Sequence, residues 1–449
     1  MELLVEGGTV LTMGQKGTIR DGALAIEDDR IVAVSRAREI KPKFRRYERL
    51  DARGCIIMPG LVNAHQHISM GLLRGYADDY PLKEWLEQHI WPLEAKMEPY
   101  HMYVGSLLTC AESLLSGVTT VNTMYHYAHP ELNEAKAIAD IGMRGVVGHV
   151  CFSWRKEEDR RALDDLVRRW HGAADGRVRV SVDPHAPYTV DPDYMVELRR
   201  LTNEYNERYG HEGAITFHIH VAETPDEPDK IREAFGVSAD EGVVAYLDRL
   251  GVLGPDMVAA HCVALTGKDI AIMARRGVKA VHNPVSNMKL ASGVSPVVEL
   301  LRAGVVVALG TDGPCSNNTA DMFETMKFAS LLQKVVLNDP TALPARTVLE
   351  MATVRGALAL SWPEIGTIEP GKKADLIVID VRKPHLTPLY SEESHLVYAV
   401  RSSDVRTVLV DGEIVVEDRE LKTMDLADIM EEATKAKEDL LSRLEEGKT

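Results

Sequence analysis

Cysteine is scarce in this chain, and the few present do not pair by spacing. Cys55, Cys110, Cys151, Cys262 and Cys315 are odd in number and include no CxxC, which argues against a disulfide framework and for a reducing compartment. Long apolar runs are missing too. The longest are of strand length and too short to span a bilayer. The opening MELLVEGGTVLTM lacks the basic start and extended apolar stretch of a secretion signal. Positive charge is in deficit: 52 Lys and Arg against 68 Asp and Glu give a formal net charge of −16. That balance argues against nucleic acid or an anionic membrane as partner. Any anionic part of a small-molecule ligand would need local basic groups. A cytoplasmic protein is expected.

What the chain does have is a rhythm. Eight apolar, β-branched runs each end in or near a residue able to bind a metal or move a proton: PGLVNAHQH (His65, His67), VTTVNTMYH (His126), RGVVGHV (His149), VRVSVDPHAP (His185), AITFHIHVAET (His218, His220, Glu223), MVAAHC (His261), KAVHN (His282) and VVVALGTDG (Asp312). Helical periodicity fills the intervals at 99–116, 131–141, 157–170, 191–209, 238–250, 267–276, 296–303 and 320–336. Strands alternating with helices predict an α/β fold, a (β/α)8 TIM barrel with its chemistry at the C-terminal strand ends. At 449 residues the chain exceeds a bare barrel. Short strands at 1–58 and again at 365–424, too few at either end for a sheet, predict one small β-sandwich domain made from both termini. The barrel would then occupy 59–364, and a charged helical tail 425–449. The stretch from Ile68 to Glu98, with Trp85, Trp91 and Glu94, reads as a long loop that covers the site or sets specificity.

His65 and His67 lie two apart on a strand, so their side chains share one side and form a two-nitrogen pincer for a divalent cation. One further imidazole and one carboxylate would complete a set suited to zinc or a similar ion. On the fifth strand His218 and His220 compete. His220 is favoured, being nearer the strand end and three residues before Glu223, an acid placed to sit above the metal. Asp312 supplies the carboxylate; the alternative, a helix N-cap, fits poorly with Gly313-Pro314 behind it.

The motifs PGLVNAHQH, HVAET, AAHC, HNPVSN, GTDG and GTIEPGKKADLIVID together resemble the amidohydrolase superfamily over nearly the whole chain. The resemblance implies the barrel and a flanking sandwich. Binuclear members often carry a lysine at the end of strand four, where this chain has VRVSVDPHAP. One divalent ion per chain is therefore expected, held by His65, His67, His220 and Asp312: zinc foremost, with Fe2+ or Mn2+ as alternatives. Within the superfamily, GLLRGYADDYPLKEWLEQHIWPLEAKM, DPHAPYTV and GTDGPCSNN resemble the 5′-methylthioadenosine/S-adenosylhomocysteine deaminases. This likeness implies hydrolytic deamination of an adenine nucleoside at C6. Trp85 would pack on the nucleoside, Glu94 would hold the ribose hydroxyls, and His185 would contact the purine. Glu223 would face N1, and Ser316 would lie near the base. Glu223, His261 and Asp312 would be the catalytic groups. Arg155, with Arg160 and Arg161 behind it, is the candidate for a substrate carboxylate. Guanine or cytosine deamination, triazine hydrolysis and a non-catalytic scaffold are the competing readings. A homo-oligomer is expected.

Overall fold

The eight apolar runs form eight parallel strands paired in chain order in the computed structural model, which describes residues 2–446. They are Leu61–Gln66, Val118–Tyr125, Arg144–Cys151, Val178–Pro184, Thr216–Val221, Met257–His261, Lys279–His282 and Val307–Leu309. Residues of the first five strands are buried on both faces, which is why these runs show little polar alternation. Side chains join the first and eighth strands: the Thr311 N–H donates to Asn63 Oδ1 at 3.0 Å, and Asn63 Nδ2 donates to Thr311 Oγ1 at 2.7 Å.

Helices Pro99–Leu115, Glu134–Asp140, Lys156–Trp170, Pro192–Tyr209, Gly267–Arg276, Val297–Arg302 and Met322–Leu337 occupy expected intervals. The one expected from residue 238 starts only at Val243. An unforeseen helix, Glu227–Phe235, precedes it. Pro228 sits in its first turn, where a missing N–H leaves no bond unmade.

The two ends of the chain meet where Cys55–Pro59 pairs antiparallel with Leu376–Asp380. The sandwich is thus one nine-stranded sheet. Alternation along its strands separates two packing faces. Leu3, Val5, Leu24, Ile57, Leu376 and Leu409 share an internal core, whereas Ile56, Met58, Ile377, Ile379 and Val408 join the core of the barrel. A buried ion cluster pins the two units. Arg144, at the start of the third barrel strand and 0% exposed, donates from Nε and Nη2 to Asp375 at 2.6 and 3.0 Å and from Nη2 to Asp411 at 2.7 Å. The Trp362 ring lies 4.9 Å from the Arg144 guanidinium and 3.9 Å from that of Arg179.

The long first loop is mostly helical, running through Leu82–Glu84, a wider turn at Trp85–Ile90, and Trp91–Glu94. Its apolar side, with Trp85, Ile90, Leu93 and Met97, forms a cluster that includes Leu440 of the C-terminal helix Leu426–Glu446. His101 Nε2 contacts Asp439 at 3.0 Å, and Arg443 pairs with Glu98. This helix is therefore fastened directly beneath the loop over the barrel mouth. The last three residues of the 425–449 tail lie outside the described residues.

Candidate active site

Side chains from strands one and five and from the turn after strand eight converge at the mouth. Asp312 Oδ1 is 3.3 Å from His65 Nε2 and 3.1 Å from His67 Nε2. His67 Nε2 and His220 Nε2 are 3.4 Å apart. His261 completes a second triad with His65 and His220; in each triad the donor atoms lie within 4.8 Å of one another. The opposite ring nitrogens are held from behind. His67 Nδ1–H donates to the Met124 carbonyl at 2.6 Å and His220 Nδ1–H to the His185 carbonyl at 2.7 Å. A carbonyl only accepts, so in the neutral rings Nε2 keeps its lone pair for the centre, the arrangement by which proteins orient metal-binding imidazoles. His65 Nε2 is buried with no hydrogen-bond partner, an orphan of the kind an ion satisfies. Three imidazoles and a carboxylate fit a divalent cation of zinc type.

His218 lies one pleat deeper than His220. Its Nε2 meets His65 Nδ1 at 2.9 Å, and its Nδ1 is 3.6 Å from the buried carboxylate of Asp183. It braces the His65 ring from behind and is not in the cluster itself. The turns at the strand ends are strained: Ala222, His261 and Asp312 have φ of +50°, +71° and +63°, a left-handed conformation unusual for residues with a side chain and common at functional sites. The hydroxyls of Ser286 and Ser316 both donate to Asp312 Oδ2 at 2.7 Å, so Oδ1 alone faces the imidazoles.

Above this centre lies a cavity open to solvent on one side, lined by apolar and aromatic side chains with a few polar groups, as small-molecule sites are. Glu223, His185, Glu94, Trp85 and Ser316 line it. Burial raises the pKa of Glu223, whose carboxyl is 4.0 Å from His261 Nε2. Its backbone N–H donates to Glu227 Oε2 at 2.9 Å. His261 Nδ1 pairs with Asn287 Oδ1 at 2.9 Å. Burial also raises Glu94, which neighbours Tyr125. His185 is driven down to about 3 by burial and the surrounding histidines, and contacts Thr189 Oγ1 at 2.9 Å. Trp85 Nε1 donates to the Ala77 carbonyl at 2.9 Å, fixing the indole.

Arg155 is not brought to the cavity surface. Its Nη2 reaches His126 Nδ1, the Val150 carbonyl and Asp159, each at 3.2 Å. Arg160 pairs with Asp164 and Glu197, each at 3.6 Å, on the helix surface. Sequence reasoning assigned no role to Ser286 and Asn287, which support Asp312 and His261. The signal available was HNPVSN, one turn beyond the seventh strand.

The profile of the Amidohydrolase family matches residues 56–415. The chain belongs to the amidohydrolase family. A 5′-deoxyadenosine deaminase of Methanosarcina mazei is 43% identical to this amidohydrolase, over 99% of each chain. A 5-methylthioadenosine/S-adenosylhomocysteine deaminase of Pelotomaculum thermopropionicum is 44% identical, over 98% of this chain and 99% of the relative. Among solved structures, an adenosine deaminase from Xanthomonas campestris with bound zinc superposes with a TM-score of 0.91 at 36% identity, covering 98% of this chain and 99% of the other.

Proposed function

We propose that this amidohydrolase removes the 6-amino group of adenine nucleosides by hydrolysis, giving the inosine analogue and ammonia. The observation that carries the reading is one cavity bordered by the imidazole–carboxylate ring, a half-buried acid (Glu223) and a second half-buried acid (Glu94) on the covering loop. A divalent ion, one zinc per chain, held by His65, His67, His220 and Asp312 would supply the Lewis acidity that makes hydroxide available near neutral pH. Asp312 Oδ1 takes a proton from the attacking water. Glu223, whose carboxyl burial makes readier to hold a proton than a free one, delivers its proton to purine N1, which makes C6 electrophilic, and then moves the second proton to the leaving amine. His261, tied to Asn287, aims Nε2 at the attacking oxygen and orients it. His185 and Trp85 hold the base, Ser316 borders it while steadying Asp312, and Glu94 accepts from the ribose hydroxyls.

Among the described residues lining the cavity there is no lysine or arginine, so nothing on its wall offsets a substrate carboxylate. We therefore place 5′-deoxyadenosine and 5′-methylthioadenosine above S-adenosylhomocysteine in kcat/KM. Ammonia release across a nucleoside panel tests both the reaction and this order. Free bases or triazines outrunning every nucleoside would overturn the assignment. Glu94→Gln should lower nucleoside kcat/KM by about 10–100-fold, the worth of a hydrogen bond to a charged acceptor, with metal content intact.

The metal assignment has its own test. Purified protein should carry close to one divalent ion per chain, and His220→Ala should lose it. His218→Ala should weaken affinity by about 10–100-fold, as for other residues that orient a ligand. Two tightly held ions, or complete metal loss in His218→Ala with retention in His220→Ala, would reverse the argument. We further propose a cytoplasmic homo-oligomer. All five cysteines are free and buried, and Phe328, Leu331 and Val335 form an exposed apolar row on helix Met322–Leu337; light scattering would report the mass.

A further inference from the structure

His126 follows the second barrel strand and lines the substrate cavity, yet it has no part in the chemistry derived above. Its surroundings determine which nitrogen carries the proton. Arg155 Nη2 is 3.2 Å from His126 Nδ1. A guanidinium has only donors, so Nδ1 must be the acceptor and the neutral ring must carry its proton on Nε2. Arg155 is itself held, by Asp159 and the Val150 carbonyl at 3.2 Å each, and lies over the Phe152 ring at 5.3 Å. Asp159 is fixed in turn by the Phe152 N–H at 2.8 Å and His149 Nε2 at 3.0 Å. Among the described residues His126 Nε2 has no hydrogen-bond partner, although the ring borders the cavity. A donor has thus been set there for something outside the protein.

Glu94 lines the same cavity. Tyr125, whose hydroxyl donates to Met97 Sδ at 3.3 Å, also lines the cavity and stands edge-on to the His126 ring at a centroid distance of 5.1 Å. A carbonyl-type carboxylate oxygen accepts and this imidazole nitrogen only donates, whereas a hydroxyl does both. We propose that His126 is a specificity-determining residue that, together with Glu94, reads the vicinal diol of the sugar: each hydroxyl recognised donates to Glu94, and one of them also accepts from His126 Nε2–H. Arg155 is then a positioning residue that enforces the tautomer. The inference rests on the nucleoside reading and adds to it the residue that distinguishes a ribose from a deoxy sugar.

The experiment compares adenosine, 2′-deoxyadenosine and 3′-deoxyadenosine as substrates for wild type, His126→Phe, His126→Gln and Arg155→Met. Metal content and melting temperature are measured alongside. His126→Phe should lose about 10-fold in kcat/KM on adenosine, the worth of one ordinary hydrogen bond. It should lose almost nothing on the deoxy analogue whose missing hydroxyl is the partner. His126→Gln, which keeps an N–H donor at a similar reach, should recover most of the loss. In Arg155→Met the His126 ring ¹⁵N shifts should change from the single Nε2–H tautomer to a mixture. Equal losses for His126→Phe on all three nucleosides, or an unchanged tautomer in Arg155→Met, would overturn the proposal. A failure of His126→Phe to fold leaves the Gln variant and the ¹⁵N shifts to decide it. A wild type that deaminates neither these three nor 5′-deoxyadenosine and 5′-methylthioadenosine would instead overturn the nucleoside reading, and this inference with it.

Discussion

Glu223→Gln is expected to bind metal like the wild type and to lose about two to four orders of magnitude in kcat, the usual worth of a positioned proton donor. The amide fills the same space and keeps the backbone N–H bond to Glu227. It has no proton to give to N1 and cannot carry one to the leaving amine. The loss should fall on kcat and kcat/KM together, because the missing interaction belongs to the transition state. Metal analysis with steady-state kinetics checks this. Deamination within a few-fold of wild type would remove Glu223 from the mechanism.

The second large effect lies at the opposite end of the barrel. Arg144→Met should destabilise the protein by about 3–5 kcal/mol, the usual result of removing one partner of a buried ion pair. Methionine approximates the volume, but Asp375 and Asp411 lose the guanidinium that bridges them. Lys373, 2.9 Å from Asp411, compensates only one of the two. Denaturant unfolding would show the shift, and the folded variant should retain wild-type kcat. A variant as stable as wild type would mean that the buried pair contributes nothing to joining barrel and sheet.

The barrel was legible because each strand is a β-branched run and the chemistry stands at the run's end. His65 and His67 follow from the two-residue period of a strand. The same period makes His218 and His220 equivalent in direction, so only depth separates them, and depth is set by where strand five stops. Helix Glu227–Phe235 escaped notice because TPDEPDKIREAF presents two prolines and a dense run of charge. The positive φ at His261 and Asp312 leaves no mark in residue type, since neither position is glycine. Arg155 was legible as a basic residue after strand three, but its direction was not. Asp159, four residues on, His126 and a carbonyl draw it behind the wall. An arginine near a site can recognise a substrate or orient a neighbour, and sequence alone does not distinguish the two.

The helix Leu426–Glu446 fastened under the mouth loop, together with the pairing of Cys55–Pro59 to Leu376–Asp380, constrains when the protein can begin to work. All eight barrel strands lie before residue 310 and leave the ribosome early. The N-terminal half of the sheet must still wait for its partner strands, and the loop bearing Trp85 and Glu94 lacks its buttress until residues 426–446 emerge. At roughly 5–20 residues per second of synthesis, the interval between the end of the last barrel strand and the end of that helix is about 7–27 s. During it the nascent chain has the side chains of the proposed metal site but an unsupported cover, so the ability to hold a metal should precede the ability to retain a nucleoside. Ribosome-stalled chains ending before and after the helix would separate the two events in time.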